Sequence, residues 1–233
     1  MERYNIITEK NPREIVLLRG NGCKWHRCTF CDYHLDSSHD EEANFSLNRS
    51  VLKNVTGKFG QLEVINSGSF TDLNKKTVEE IRRTAVSKSI TSIHIECHWM
   101  HRAALPVFSK YFADAGIEVI YKIGIETFNI SFRENVLKKG IGNASPKEIA
   151  AAGFKEINLL CGIDGQTADD MRSDIETGLR YFDRVCVNVM TENTTKIKPS
   201  KDVIAAFMRE VFPLFKDDAR VDILLANTDF GVG

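Results

Sequence analysis

Three cysteines lie close together near the start of the chain, and they are the residues best suited to chemistry. Cys23, Cys28 and Cys31 have the spacing C-x4-C-x2-C within the segment GCKWHRCTFCDYHLD. Thiolate sulfur is a ligand that iron–sulfur clusters and zinc both prefer. Three thiolates can hold three irons of a 4Fe–4S cluster and leave the fourth iron open. An iron left open in this way can bind a substrate or cofactor and act on it, so we favour this interpretation.

Two other kinds of metal site use similar residues and stay open as alternatives. A structural zinc ion would take His34 as a fourth ligand beside the three cysteines, as in zinc sites that stabilise small folds. With such a zinc site, the chain would be a zinc-stabilised binding module and not an enzyme. A plant-type 2Fe–2S centre shares the spacing of the first three cysteines, and Cys97, Cys161 or Cys186 could supply its fourth ligand. The zinc site is less favoured because a chain of this length can form a core without a structural metal ion. The 2Fe–2S centre is less favoured because ferredoxins are small electron carriers.

The elements that must position the cysteine loop are predicted from the apolar runs. These runs are short and rich in β-branched residues, as is typical of buried parallel strands. The predicted strands are residues 15–18, 62–65, 93–95, 119–125, 157–160, 185–189 and 221–225. Segments with helical spacing separate them. Two helix starts are predicted from capping patterns, one from Thr77 with Glu80 and one from Ser145-Pro146 with Glu148.

Strands that alternate with helices predict right-handed βαβ units and a parallel sheet. We predict the α/β class, with a partial (β/α)6 TIM-like barrel that forms a single domain over residues 1–233. A doubly wound open sheet is the alternative. We favour the barrel because polar and glycine residues recur just after strand ends, for example in Asn66-Ser67-Gly68 and Glu96-Cys97-His98. In a parallel barrel these positions meet on one face, where active sites are built, and the cysteine loop belongs to that face.

Composition and charge indicate the kind of partner. The chain has 233 residues, of which 42% are hydrophobic and 27% charged, as in ordinary globular domains. Its formal net charge of −1 lacks the basic surplus that holds nucleic acid phosphates, so we expect a small-molecule substrate and no stable nucleic acid binding. No apolar run approaches the ~20 residues that cross a bilayer, and the N-terminus lacks the apolar core of a signal peptide. We therefore expect a cytoplasmic protein with reduced thiols and no membrane partner.

The cysteine loop resembles that of the radical S-adenosylmethionine (radical SAM) superfamily. The resemblance rests on Cys-x-Phe-Cys-Asp-Tyr at residues 28–33, after the first predicted strand, and on the glycine-bearing strand ends that follow. The commonest superfamily spacing is C-x3-C-x2-C, and this chain has one residue more in the first gap. The resemblance covers most of the chain and implies a 4Fe–4S cluster and S-adenosylmethionine (SAM) as cofactors. It also implies a 5′-deoxyadenosyl radical that takes a hydrogen atom from the substrate, and an electron donor of the flavodoxin or ferredoxin type.

The resemblance further implies a set of cofactor-binding residues. Phe30 corresponds to the aromatic residue beside the cluster, and Tyr33 to the residue whose backbone meets adenine. Asn66, Ser67 and Gly68 stand where the superfamily has a glycine-rich motif for the methionyl amino group, although the usual Gly-Gly-Glu is absent. The remaining implied contacts are Glu126 with the ribose hydroxyls or the methionyl group, Lys122 or Arg133 with the methionyl carboxylate, and Cys161 and Gly162 with adenine.

The cysteine loop and residues 66–70 resemble one branch of the superfamily, the queuine lyases of queuosine salvage. This resemblance implies cleavage of the C–N bond between the amine of queuine and its cyclopentenediol, which returns 7-aminomethyl-7-deazaguanine. Another radical SAM enzyme, such as a deazapurine ring-forming enzyme or an activase, is the alternative. The catalytic residue is not identified. The candidate substrate contacts are Glu96 and His98 after one strand end, and Asp164, Asn188, Glu192 and Asp229 for the guanine-like edge of the base.

Overall fold

The structure is a computed structural model, and it describes residues 2–225. These residues form two compact units. The N-terminal unit contains residues up to 26 together with residues 33–122, and the C-terminal unit contains residues 27–32 together with residues from 123 onward. Each unit is described by itself below. The single domain that we predicted over residues 1–233 stays a prediction.

The N-terminal unit begins with a hairpin and continues with parallel strands. Strand β1 pairs antiparallel with β2, and β2, β3, β4 and the first part of β5 follow in parallel. Helices connect the parallel strands. The elements are β1 (Tyr4–Ile7), β2 (Arg13–Leu18), α1 (Glu41–Leu52), β3 (Gln61–Asn66), α2 (Lys75–Ser87), β4 (Ser92–Glu96), α3 (Leu105–Ala113) and β5 (Glu118–Glu126).

The C-terminal unit continues the same alternation. It contains the end of β5, and β6, β7 and β8 follow one another as parallel neighbours. A π-helical turn over Phe207–Val211 separates the last two helices. The elements are α4 (Pro146–Ala151), β6 (Phe154–Cys161), α5 (Ala168–Tyr181), β7 (Arg184–Val189), α6 (Lys201–Ala206), α7 (Phe212–Phe215) and β8 (Val221–Leu224).

The predicted α/β class is confirmed, and all seven predicted strands form. Within residues 2–225, the six strands β2 to β7 are each followed by a helix, as a (β/α)6 arrangement requires. Every residue of β7 is buried, which agrees with parallel strands that are covered on both faces. In the same described part of the chain, no helix combines the length and the apolar composition needed to cross a membrane.

The sequence patterns at the helix starts had different outcomes. Ser145 caps α4 as predicted, because its hydroxyl accepts the Glu148 N–H and the Glu148 carboxylate accepts the Ser145 N–H. The capping box predicted from Thr77 is wrong. Asn74 caps α2 instead, with its side-chain oxygen 2.8 Å from the Thr77 nitrogen. Asparagine is as good a cap as threonine, and it stands one turn earlier.

Candidate active site

The first cysteine lies against the turn that follows β3 in the N-terminal unit. A Cβ atom built on Gly68 would lie 3.1 Å from the Cys23 Cα and 2.4 Å from Asp72 Oδ2, so Gly68 packs closely against both residues. The Asn21 N–H also donates to the Asp72 carbonyl at 2.9 Å. The sequence therefore correctly placed the Asn66-Ser67-Gly68 segment beside the cysteine loop, whereas its contacts with a cofactor stay a prediction.

Two side chains of this segment form hydrogen bonds within the N-terminal unit. Asn66 Nδ2 donates to the Ser69 carbonyl at 3.0 Å, and Ser67 Oγ donates to the Asp36 carbonyl at 3.0 Å. Asp36 ends a short 3-10 turn that begins at Tyr33. The Ser67 hydroxyl therefore fixes this turn.

The other two cysteines belong to the C-terminal unit and lie on an apolar surface there. Cys28 and Cys31 pack, half-buried, against a buried cluster made of Phe30, Leu137, Leu160, Ile163 and Met190. This cluster is called the apolar shelf below. Phe30 is a buried member of this shelf, and its contact with a cluster stays a prediction.

Hydrogen bonds hold the cysteine loop on the apolar shelf. The Thr29 hydroxyl donates to the Val136 carbonyl at 2.7 Å, and Asn193 Nδ2 donates to the Phe30 carbonyl at 2.7 Å. Asp32 accepts both the N–H and the hydroxyl of Thr194, each at 2.9 Å. These contacts join the loop to segments more than 100 residues away in the chain, so the thiols occupy defined positions.

A buried ion pair stands beside these thiols. Glu126, the last residue of β5, is 6% exposed and has a backbone φ of +68°. Its Oε1 lies 2.6 Å from Lys139 Nζ, and Lys139 Nζ lies 5.6 Å from the centre of the Phe30 ring. A Cβ atom on Gly124 would lie 2.5 Å from Glu126 Oε1 and 2.7 Å from Lys139 Nζ. Glycine at that position therefore makes room for the pair.

Lys139 is a site residue that sequence reasoning missed. Burial by itself lowers the pKa of Lys139, but the Glu126 carboxylate and the Cys28 and Cys31 thiols together hold that pKa above its ordinary value. The side chain is therefore a fixed positive charge near both cysteines. In sequence it is only the second lysine of a Lys-Lys-Gly run, and such runs are usually exposed surface.

The two cations that were predicted to neutralise a methionyl carboxylate have partners in the protein. Lys122 forms a buried ion pair with Glu63, within the N-terminal unit. Arg133, in the C-terminal unit, is 1% exposed, and its Nη2 donates to the Gly142 carbonyl at 2.7 Å while its Nε donates to Glu134 at 3.0 Å. Arg133 therefore holds the loop that carries Lys139. Contact of either cation with a cofactor stays a prediction.

The end of β6 is closely packed, and its contact with adenine stays a prediction. Cys161 is buried, and burial raises the pKa of its thiol well above the ordinary value. Gly162 has a φ of +94°, and a Cβ there would lie 2.7 Å from Ile204 Cγ1. Gln166 spans the turn, since Nε2 donates to the Leu160 carbonyl and Oε1 accepts the Ile163 N–H. Cys161 and Gly162 thus fit a packing role next to the apolar shelf.

The predicted substrate contacts differ in how they are placed. Glu96 lies at the end of β4, and the His98 ring stacks on Trp25 with 5.3 Å between ring centres. Asn188 is buried, and its Oδ1 has no hydrogen-bond partner among the described residues. The other candidates are exposed Asp164, exposed Glu192, which pairs with Lys198 at 3.3 Å, and Asp229, which lies outside the described residues.

A buried carboxylate holds the loop that follows Glu126. The Phe128 N–H donates to Asp174 Oδ1 at 2.7 Å, and Asp174 itself lies on α5. Burial raises the pKa of Asp174 from 3.8 to about 6, although the Thr127 hydroxyl and the Phe128 N–H act in the opposite direction. Near neutral pH the charged form of Asp174 is therefore a cost to the folded state.

Replacing Asp174 with Asn should raise the free energy of unfolding near pH 7.5 by roughly 1–3 kcal/mol, since one pKa unit is worth about 1.4 kcal/mol. A carboxyl whose pKa is raised by folding contributes stability below about pH 4 and loses it as the pH rises through about 6. The gain should thus be absent near pH 3.5 and should grow between about pH 4 and 6, as measured by urea unfolding. Exposed Asp169 lies on the same helix, so Asp169→Asn is the control. A gain that is equal at every pH would contradict this account.

Comparison with known proteins identifies several that are similar to this chain. No family model matches the chain. A queuine lyase from Clostridium spiroforme, solved with SAM and queuine, is 42% identical, with a TM-score of 0.93 over 100% of this chain and 99% of that one. Streptococcus suis SuiB, solved with SAM, has the same fold at 14% identity, with a TM-score of 0.53 over 90% of this chain and 49% of that one. An uncharacterised protein of Methanocaldococcus jannaschii is 27% identical over 55% of this chain, a match that spans 39% of its own length.

Parallel βα units with a three-cysteine loop after the first of them define the class of radical SAM proteins. Within that class, the chain belongs to the family of the Clostridium spiroforme queuine lyase. The resemblance stated from the cysteine loop and residues 66–70 is thereby confirmed.

Proposed function

We propose that this protein is a radical SAM lyase that cleaves queuine to 7-aminomethyl-7-deazaguanine. The observation that carries the proposal is 42% identity over the whole chain with an enzyme solved with both SAM and queuine. The bond to be broken joins the amine substituent to the cyclopentenediol. This C–N bond is unactivated, and ordinary acid–base chemistry cleaves such bonds poorly. The substrate is thus a small deazapurine base.

The surroundings of the cysteines suit thiolate ligands of a 4Fe–4S cluster. Cys28 and Cys31 are held half-buried on the apolar shelf, and the positive charge of Lys139 balances thiolate charge there. A cluster takes separate irons on separate thiolates. We assign Cys23, Cys28 and Cys31 as its ligands; when bound, it supplies the electron that cleaves SAM.

The residues around these thiols suit the polar groups of SAM. Glu126 offers a carboxylate to the ribose hydroxyls or the methionyl amino group, and the ammonium of Lys139 can receive the methionyl carboxylate. Glu126 is buried, Lys139 is half-buried, and the two charges are paired at 2.6 Å, so each is already oriented before a ligand arrives. Leu160 and Ile163 of the apolar shelf present an apolar wall for adenine and keep water away, which a radical reaction needs.

We also propose an electron donor, a cellular compartment and the form of the substrate. A flavodoxin- or ferredoxin-type protein would supply the electron, and the reducing cytoplasm would keep the cysteines as thiols. The balanced charge of the chain, −1, favours a small substrate over a nucleic acid. The enzyme would thus act on the free base.

The test uses protein that is purified without oxygen and then reduced. We expect about four irons and four sulfides per chain. Incubation with SAM and queuine should give 7-aminomethyl-7-deazaguanine and 5′-deoxyadenosine, both detected by mass. A panel of other deazapurines should give neither product.

Two results would contradict the proposal. Stoichiometric zinc without formation of 5′-deoxyadenosine would favour a binding module. Formation of 5′-deoxyadenosine with a different deazapurine, but not with queuine, would favour another radical SAM reaction. Substrate-free turnover of SAM is the background that must be subtracted.

A further inference from the structure

The N-terminal unit contains a polar cavity that the assignments above do not use. It has a volume of about 440 Å³ and lies between the segment after β2 and the turn after β3. This space is called the polar cavity below. Its walls include Cys23, Lys24, His26, His34, Thr71 and Asp72. The polar cavity therefore begins at one of the proposed cluster ligands.

Two buried polar groups of the polar cavity lack partners. Asp72 is 3% exposed, and its Oδ2 accepts the Ser69 N–H at 2.8 Å. Its second oxygen, Oδ1, is buried without a hydrogen-bond partner among the described residues, and so is the hydroxyl of neighbouring Thr71. Buried polar groups in native proteins nearly always have partners, so this pair is suited to receive a ligand.

The backbone holds this pair rigidly. The Asp72 N–H donates to the Ser69 carbonyl at 2.8 Å, and the Asp72 carbonyl accepts the Asn21 N–H at 2.9 Å. A Cβ atom on Gly68 would lie 2.4 Å from Asp72 Oδ2, so the Asp72 side chain packs closely against the Gly68 backbone. A recognition site needs side chains that are fixed in this way, because ordering them on binding costs affinity.

The chemistry of the pair selects a particular kind of ligand. A carboxylate oxygen only accepts a hydrogen bond, whereas a threonine hydroxyl can donate one. A ligand that reaches both groups would offer a donor to Asp72 and an acceptor to Thr71, as the ring N–H and C=O on the lactam edge of a guanine-like base do. His26 and His34 lie with 4.3 Å between ring centres and line the same space, so a flat ring would have imidazoles to stack on.

We infer that Thr71 and Asp72 recognise the N1–H and C6=O groups of the deazaguanine base. This inference rests on the proposed function and adds residues that determine its specificity. The sequence offered Asp164, Asn188, Glu192 and Asp229 for that edge. Asn188 is buried in β7 and Asp229 lies outside the described residues, whereas Asp164 and Glu192 are exposed. Asp72 differs from them, since it is buried and already fixed.

The test measures binding of 7-aminomethyl-7-deazaguanine and of 7-deazaadenine, which lacks the lactam edge. Equilibrium dialysis of the cluster-loaded protein with SAM would compare the wild type with Asp72→Asn, which replaces an acceptor by a donor. We expect this variant to bind 7-aminomethyl-7-deazaguanine about 10- to 100-fold more weakly, and to bind SAM and iron as the wild type does. Its preference over 7-deazaadenine should shrink by the same factor. Asp169→Asn, an exposed change, is the matched control.

Three outcomes would overturn the inference. The first is unchanged base affinity in Asp72→Asn, and the second is loss of iron or SAM together with the base. If Asp72→Asn does not fold, Thr71→Val decides, because it removes only the hydroxyl and should weaken base binding about 3- to 10-fold; no change would overturn the inference. Failure of the wild type to bind or cleave any deazaguanine would remove the proposed function as well, so the two failures are distinguishable.

Discussion

Protein carrying Cys28→Ala is expected to contain no cluster and to form no 7-aminomethyl-7-deazaguanine, while it keeps its fold. Cys28 is only half-buried and lies on a loop that hydrogen bonds such as Thr29 to Val136 hold in place. Removing its sulfur takes one of three ligands from the proposed cluster. The apolar shelf beneath remains, so the free energy of unfolding of the iron-free proteins should differ by less than about 1 kcal/mol. Iron and sulfide analysis, product mass and thermal unfolding measure these effects.

The control for this variant is a cysteine outside the loop. Cys186 is buried in β7, and Cys186→Ala should keep iron and activity while it loses about 1 kcal/mol of stability through the small cavity. Unfolding of Cys28→Ala would point instead to a structural metal ion. Retention of a full cluster in Cys28→Ala would remove this residue from the ligand set.

Loss of SAM affinity by about 10- to 100-fold is expected for Glu126→Gln, because hydrogen bonds to a charged group are worth about 1.5–3 kcal/mol. The amide keeps the size of the side chain and an oxygen that accepts from Lys139. The cysteine loop is untouched, so iron should be retained. Equilibrium binding of SAM to the cluster-loaded protein, together with iron analysis, measures both quantities.

Glu118→Gln is the matched control, because Glu118 lies at the other end of the same strand and is exposed. It should bind SAM as the wild type does. If Glu126→Gln also bound SAM normally, the carboxylate would serve only to orient Lys139, and its assignment to the cofactor would be wrong. Loss of iron in this variant would mean that the buried pair supports the cysteine loop and not SAM.

The sequence was most informative where residue type alone determines the local structure. Strands such as β3 and β7 are β-branched runs that must be buried, and three cysteines within nine residues point to a cluster. Strand β1 was missed because it is a four-residue edge strand with no buried residue. Its pairing with β2 depends on a partner and not on its own pattern.

The parts of the site that the sequence did not predict depend on distant residues. Lys139 looks like a surface lysine until β5 brings Glu126 to it. Lys122 or Arg133 was predicted to neutralise the methionyl carboxylate, and each also has a protein partner that no local pattern indicates. Asp72 is one acidic residue among many, and only its burial and its unsatisfied oxygen distinguish it. Sequence patterns therefore did not indicate the charge pairs between residues that are distant in the chain.

The left-handed backbone of Glu126 has a consequence for directed evolution of this protein. A non-glycine residue at a φ of +68° stores strain of about 1 kcal/mol or more. Glycine there, combined with an apolar replacement for Lys139, would relieve both the strain and the buried charges. A screen for thermal stability alone would therefore select such a double replacement, and the variant would lose catalytic activity. Selection for stability has to include a measurement of catalytic activity.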